Sequence, residues 1–244
     1  LEALGSFLDG KRYRRVRRRM EAVLDRSGAL RDLGIELEML PTVGMSPAEP
    51  ALRVLRETLR EKHEKSARTL HRRLPRGGRG LRRDVRRLLK RSRRAKASGA
   101  APALRRDALE GARKRFARLR ASRLAVNPAE LETIHRMRIE LKKFRYLMEA
   151  LRPAAVGISK KDLESLHRLQ TTMGDLHDLE VLSSTIARHV AKGEPEAAAQ
   201  AAPVLQTLEV RHSAMLTSFL DAVDPILDAW ERLLASGRRW GSKR

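Results

Sequence analysis

The run Ile134–Leu151, "IHRMRIELKKFRYLMEAL", constrains the fold more than any other part of the chain. Apolar side chains recur at Ile134, Met137, Leu141, Phe144, Met148 and Leu151. Spacings of three and four gather these six within about 100° of one another on a helix, where each residue advances by 100°. A strand would scatter them over both faces. Beside the apolar stripe, along a single edge, fall His135, Arg138, Lys142, Arg145 and Tyr146, with Glu149 the one acid among them. The pattern predicts a helix with a buried face and a cationic strip bordering a groove or pore rather than open solvent. Such a strip offers a donor every turn or less, close enough to engage successive phosphates of one polymer. His135 is read either as an anion ligand, which binding would help protonate, or as a satisfied polar residue at the core boundary.

The rest of the chain also reads as helical. Leu, Ala, Arg and Glu dominate, and strand-like alternation is nowhere sustained. Breakers divide it. "PTVGMSPAEP" (41–50) separates two helices, with Ser46 as N-cap before Pro47. "PRGGRG" (75–80) and "ASGAAP" (97–102) frame a basic helix. "NPAE" (127–130) predicts a helix start with Asn127 as N-cap and Pro128 in the first helical position. "RPAAVGIS" (152–159) and "KGEPE" (192–196) end two further helices, and Pro203 and Pro225 mark starts or kinks. About eight to ten helices are expected on this reading.

The formal charge of +23 is concentrated. Residues 50–125 hold 27 Lys and Arg against 6 acids, while residues 1–49 hold 9 against 8 and residues 126–244 hold 17 against 16. A field this dense attracts polyanions: nucleic acid, anionic lipid or a phosphate polymer. Within that middle stretch "RRDVRRLLKRSRRAK" (82–96) has Val85, Leu88 and Leu89 at helical spacing, which predicts an amphipathic helix with a cationic outer face. Cysteine is absent, which excludes disulfides and cysteine-ligated metal centres and suits a reducing cytoplasm. No apolar run approaches the roughly 20 residues of a membrane span, and nothing resembles a signal peptide.

An internal repeat emerges at a spacing of 146–147 residues. "GALRDLGI" (Gly28–Ile35) aligns with "GDLHDLEV" (Gly174–Val181), "LEAL" (1–4) with "MEAL" (148–151), and the pair Arg14, Arg15 with Lys160, Lys161. The expected organisation is a first helical repeat with a basic connector over residues 1–125 and a second repeat over 126–244. Lys11, Arg14, Arg15 and Arg18 share one helical face, and their register with Lys160 and Lys161 favours a shared binding surface over a merely solvated one. Gly28 and Gly174 are expected to permit close helix approach, and Asp32 and Asp178 to hold basic neighbours or cap helices. No metal-ligand constellation stands out among the seven histidines, and no acidic cluster or activated nucleophile suggests catalysis.

The two stretches "IHRMRIELKKFRYLMEAL" and "LHRLQTTMGDLHDLEVL" together resemble the signature of the conserved histidine α-helical domain, the CHAD family. Its pattern, H-x-x-R-(I/V)-x-x-(K/R)-(K/R)-x-R followed by L-Q-x-x-x-G-x-x-x-D, falls here on His135, Arg138, Ile139, Lys142, Lys143 and Arg145, then on Leu169, Gln170, Gly174 and Asp178. The second half matches closely and the first loosely. The resemblance implies an all-α fold of two four-helix bundles related by a pseudo-twofold axis around a basic central pore. It also implies a non-catalytic module that binds inorganic polyphosphate without a cofactor or metal, and it places a first-repeat His-x-x-Arg helix ahead of Leu1. The candidate binding residues are then His135, Arg138, Lys142, Lys143, Arg145, Tyr146, Lys11, Arg14, Arg15, Arg18, Lys160 and Lys161. The expected compartment is the cytoplasm, with polyphosphate granules as a place of association. Nucleic-acid backbone binding is the alternative. Against it stand an aromatic content of only 3%, which leaves few platforms for base stacking, and the lack of a known nucleic-acid-binding motif.

Overall fold

A computed structural model describes residues 10–42, 49–97, 101–152, 158–193 and 195–236. Among these residues there is no strand. The elements are α1 (Gly10–Met39), a 3-10 turn (Leu40–Thr42), α2 (Glu49–Ala97), α3 (Ala101–Leu124), α4 (Leu131–Leu151), α5 (Lys160–Val190) and α6 (Pro195–Ala235). The fold is all-α, with fewer and longer helices than the breakers suggested.

The helices form two compact units. One, the α1–α2 unit, takes Arg14–Arg86 together with Asp175–Met215. The other, the α3–α4 unit, takes the start of α1 as far as Tyr13, Arg87–Gly174 and α6 from Leu216 onward. α1, α2, α5 and α6 therefore each contribute to both units, and each unit draws residues from either side of position 125.

In the α1–α2 unit the core joins Leu40, then Leu52, Leu55 and Leu59 of α2, Leu179, Leu182, Ile186 and Val190 of α5, and Ala201, Val204 and Leu208 of α6. The spacing of three and four on every helix gives each a single apolar seam. In the α3–α4 unit, Phe116, Phe144 and Trp230 form the centre. Phe144 lies 5.3 Å from Phe116 in a tilted pair and 5.3 Å from Trp230 edge to face, both favoured ring arrangements. Ile134, Met137, Leu141, Phe144 and Met148 are all buried, as the comb in the sequence predicts.

The long helices explain the surplus of expected breaks. α6 runs through Pro203 and Pro225 because buried side chains flank both, Val204 and Leu208 at the first and Val223 and Leu227 at the second. An interior proline costs about 3 kcal/mol, which burial of two such side chains at roughly 1.5–3 kcal/mol each offsets. The "PRGGRG" stretch likewise lies inside α2, so the expected separate basic helix is the distal part of α2. One of its glycines has a packing role: a Cβ at Gly80 would stand 3.0 Å from Nη1 of Arg19. That arginine is paired with Asp84 at 2.6 Å, tying α1 to α2.

Three further expectations change. Asn127 does not cap α4; its Oδ1 accepts from the Ala129 N–H at 3.1 Å, an Asx turn over Pro128 that delays the helix to Leu131. The buried Thr133 hydroxyl donates to the Glu130 carbonyl at 2.7 Å and closes that turn. A Cβ on Gly28 or Gly174 would meet nothing within 4 Å, so neither glycine serves a close helix approach. Asp32 and Asp178 sit in helix interiors, which excludes the capping alternative and leaves the one in which they hold basic neighbours. The Ser46 cap, the "LEAL" segment and Trp240 lie outside the described residues.

Candidate anion-binding site

α4 fixes the cationic strip. Its apolar seam is anchored by Phe144 against Trp230, so the backbone beneath Arg138 and Lys142 is held by the core of the α3–α4 unit. His135 and Arg138 are half-buried at the boundary of that core, and Lys142 is exposed. Arg138 and Lys142 have no acid partner among the described residues.

The remaining strip residues are engaged with protein. Arg145 is only 9% exposed; its Nε donates to Oε1 of Gln170 on α5 at 2.5 Å and its Nη1 to Glu149 one turn along α4. Its guanidinium also lies 4.4 Å from the ring centroid of Tyr146, which is itself exposed. Lys143 donates to Oε1 of Glu140 at 2.9 Å, and Glu140 receives Arg115 of α3 at 3.0 Å. Burial pushes the Glu140 carboxyl up, yet the bonds from Lys143 and Arg115 outweigh it and hold the group below the usual carboxylate range. Lys143 thus faces a structural ion cluster, while Arg138 and Lys142 keep their charges unanswered.

Lys160 and Lys161 begin α5 in the same unit. Ser159 and Asp162 make a reciprocal capping box there, the Asp162 N–H donating to Ser159 Oγ at 3.1 Å and the Ser159 N–H to Asp162 Oδ2 at 2.8 Å. The S-x-x-D spacing of "SKKD" is the sequence signal for it. Lys160 reaches Glu164 at 3.2 Å in an exposed i,i+4 pair, and Lys161 has no acid partner among the described residues. Cations in a first helical turn oppose the helix dipole, so these lysines are not placed for helix stability.

Arg14, Arg15 and Arg18 lie on α1 in the other unit, all exposed and without acid partners among the described residues. Their neighbours differ: Arg17 pairs with Glu21 at 2.7 Å and Arg19 with Asp84. The side chain of Lys11 lies outside the described residues.

Sequence reasoning missed a structural use of the basic middle. Arg120 on α3 bonds Asp228 and, at 3.1 Å, Glu231; Arg123 reaches Asp224 at 2.8 Å. Arg113 donates from Nη2 to the Leu234 carbonyl at 3.0 Å, satisfying an acceptor in the last turn of α6. The acids at 224, 228 and 231, at i, i+4 and i+7 spacing, were the available signal. Farther back, Arg82, Arg83, Arg86 and Arg87 of α2 are exposed, as expected for an outer face. Among the described residues, no group of three or more His, Asp or Glu is arranged to hold a metal ion. No described helix is long and apolar enough to cross a membrane.

The model of the CHAD domain matches residues 1–187 of the chain. No curated protein and no solved structure matches it.

Proposed function

We propose, because the chain belongs to the CHAD domain family, that it is a non-catalytic module binding inorganic polyphosphate in a pore lined by Lys, Arg and His. The observation that carries this reading is the contrast along α4. Arg138 and Lys142 stand on a backbone fixed by the core, without an acid partner among the described residues, while the adjacent Lys143 and Arg145 are answered by Glu140 and Glu149. Like charges left unanswered cost stability until a counter-charge arrives. Rigid placement lowers the ordering cost of binding that counter-charge. Arg14, Arg15, Arg18 and Lys161 share this unpaired state, and Lys11, Lys160, His135 and Tyr146 complete the lining on this reading. Arginine supplies a planar fork for phosphate oxygens and lysine a mobile point charge.

Polyphosphate fits better than a single phosphate because each further phosphate meets another cation and releases counter-ions. The aromatic rings point the same way. Phe116, Phe144, Phe219 and Trp230 are buried in the core, so among the described aromatic side chains Tyr146 alone offers an exposed ring for stacking bases. A location in the cytoplasm, with association to polyphosphate granules, follows from this ligand.

Nucleic-acid backbone binding is the second reading, and the exposed Arg82, Arg83, Arg86 and Arg87 of α2 favour it. Titration with polyphosphates of defined length, orthophosphate, duplex DNA and RNA at several salt concentrations separates the two. Polyphosphate should bind far more tightly than orthophosphate and more tightly than either nucleic acid, with affinity falling as salt rises. Equal affinity for orthophosphate and polyphosphate would point to a discrete small-anion pocket, and tighter nucleic-acid binding to the second reading.

A further inference from the structure

Of the cations along α4, Arg145 alone is buried, and one acid answers its charge. Glu149, 41% exposed, lies one helical turn away and accepts from Nη1. The other groups around the guanidinium, Gln170 at Nε and the Tyr146 ring over its face, are neutral. A carboxylate on Nη1 engages the same donor and the same charge that a phosphate oxygen engages. Glu149 also lies on the edge that carries Arg138 and Lys142, so its charge opposes an anion approaching that edge.

We propose that Glu149 is a built-in competitor of the polyanion. It occupies Arg145 and so ends the usable strip at Lys142, which sets the affinity below what the full row of cations can deliver. The arrangement has a physical reason. A buried guanidinium without a counter-charge is strongly destabilising, and Glu149 keeps Arg145 compensated when no ligand is bound. Removing the Glu149 charge would open that donor to a phosphate oxygen. This rests on the proposed polyphosphate function, which the wild-type titration tests separately.

The discriminating variant is Glu149→Gln, which removes the charge and keeps a carbonyl for Arg145. Glu132→Gln makes the same change of net charge at an exposed position in the first turn of α4, about 25 Å along the helix from Glu149. With polyphosphate of one defined length as probe, Glu149→Gln should bind about tenfold more tightly, the gain of one charge-assisted hydrogen bond. Its affinity should also fall more steeply with salt, by about one additional released counter-ion. Glu132→Gln should stay within about twofold of wild type, since it lies beyond the roughly 10 Å screening length from Arg145 and has no contact with it. Adding Arg145→Gln to Glu149→Gln should cancel the gain, with circular dichroism confirming that the helices persist. Should that double variant fail to fold, the comparison of Glu149→Gln with Glu132→Gln decides alone. A wild-type chain that binds polyphosphate, with Glu149→Gln no tighter or Glu132→Gln equally tightened, overturns the competitor role and leaves the proposed function standing. A wild-type chain that does not bind polyphosphate removes both.

Discussion

Arg145 donates from Nε to Oε1 of Gln170 at 2.5 Å, so a residue of the H-x-x-R helix is bonded to a residue of the L-Q-x-x-x-G helix. The two halves of one sequence pattern, 25 positions apart, meet in a single hydrogen bond that ties α4 to α5. Arg145 thereby acts on the strip through its position in the core rather than as an open donor.

Removing Gln170 tests that tie. Gln170→Ala leaves the buried Nε of Arg145 without its acceptor, a loss of about 1–3 kcal/mol. Gln170→Glu supplies an acceptor of opposite charge and should hold stability near wild type. Urea unfolding of both variants checks this; equal loss in the two would mean that packing, not the hydrogen bond, is what position 170 contributes.

Gly174 and Gly28 should both tolerate alanine with a gain. Each sits inside a helix with open space where its Cβ would be. Alanine there should raise stability by about 0.5–1 kcal/mol, through helix propensity and a less flexible unfolded chain. A rise in the thermal midpoint for each variant is the expected result.

The apolar comb of α4 was legible in the sequence because three- and four-residue spacing maps directly onto one helix face. The ends of α4 at Leu151 and of α5 at Val190 were legible for a related reason, since proline and glycine follow each in the sequence. A break was expected at "PRGGRG" and a start or kink at Pro203 and Pro225; α2 and α6 run through them, with contacts such as Arg19 beside Gly80 that involve residues distant in the chain. The candidate cations were legible by face. Whether each is free was not, because Glu140 with Arg115 and Gln170 with Arg145 become neighbours only in the folded chain. Asn127 shows the limit of local rules: an N-cap and an Asx turn ask for the same residue type before the same proline.

Two carboxyls, Glu36 buried and Glu140 half-buried, should give pH dependences of opposite sign. Glu36 is 7% exposed and its Oε2 has no hydrogen-bond partner among the described residues. Burial raises its pKa above the ordinary 4.5, against a bond from Thr185 and the charge of Arg188. The folded state therefore holds this proton more tightly than the unfolded chain. Its contribution is fully present below about 4.5 and is lost as pH rises through the folded value. Glu36→Gln should thus gain about 1 kcal/mol at neutral pH, with the gap to wild type closing in acid. Glu140, held below 4.5, behaves conversely: its contribution is present above 4.5 and is lost as pH falls through its lower folded value. Glu140→Gln should lose about 1–3 kcal/mol at neutral pH by leaving the half-buried Arg115 without its acid. Denaturation curves for both variants across pH check the two signs.

Charge reversal separates recognition from long-range attraction. Arg138 and Lys142 rise from a helix whose adjacent face is locked by Phe144 and Met148, so little ordering remains to oppose contact with phosphate. Arg82 and Arg86 are exposed on α2, where salt screens them within about 10 Å. Arg138→Glu with Lys142→Glu should abolish most polyphosphate binding while the helical circular dichroism is kept. Arg82→Glu with Arg86→Glu should weaken binding modestly, mainly by slowing association, and the difference from wild type should shrink as salt is raised. Measured association and dissociation rates distinguish the two cases, since loss of direct contacts appears as faster dissociation. If the α2 pair proves as damaging as the α4 pair at physiological salt, the pore reading fails. An outer-surface polyanion site, of the kind that nucleic-acid backbones use, is then the better account.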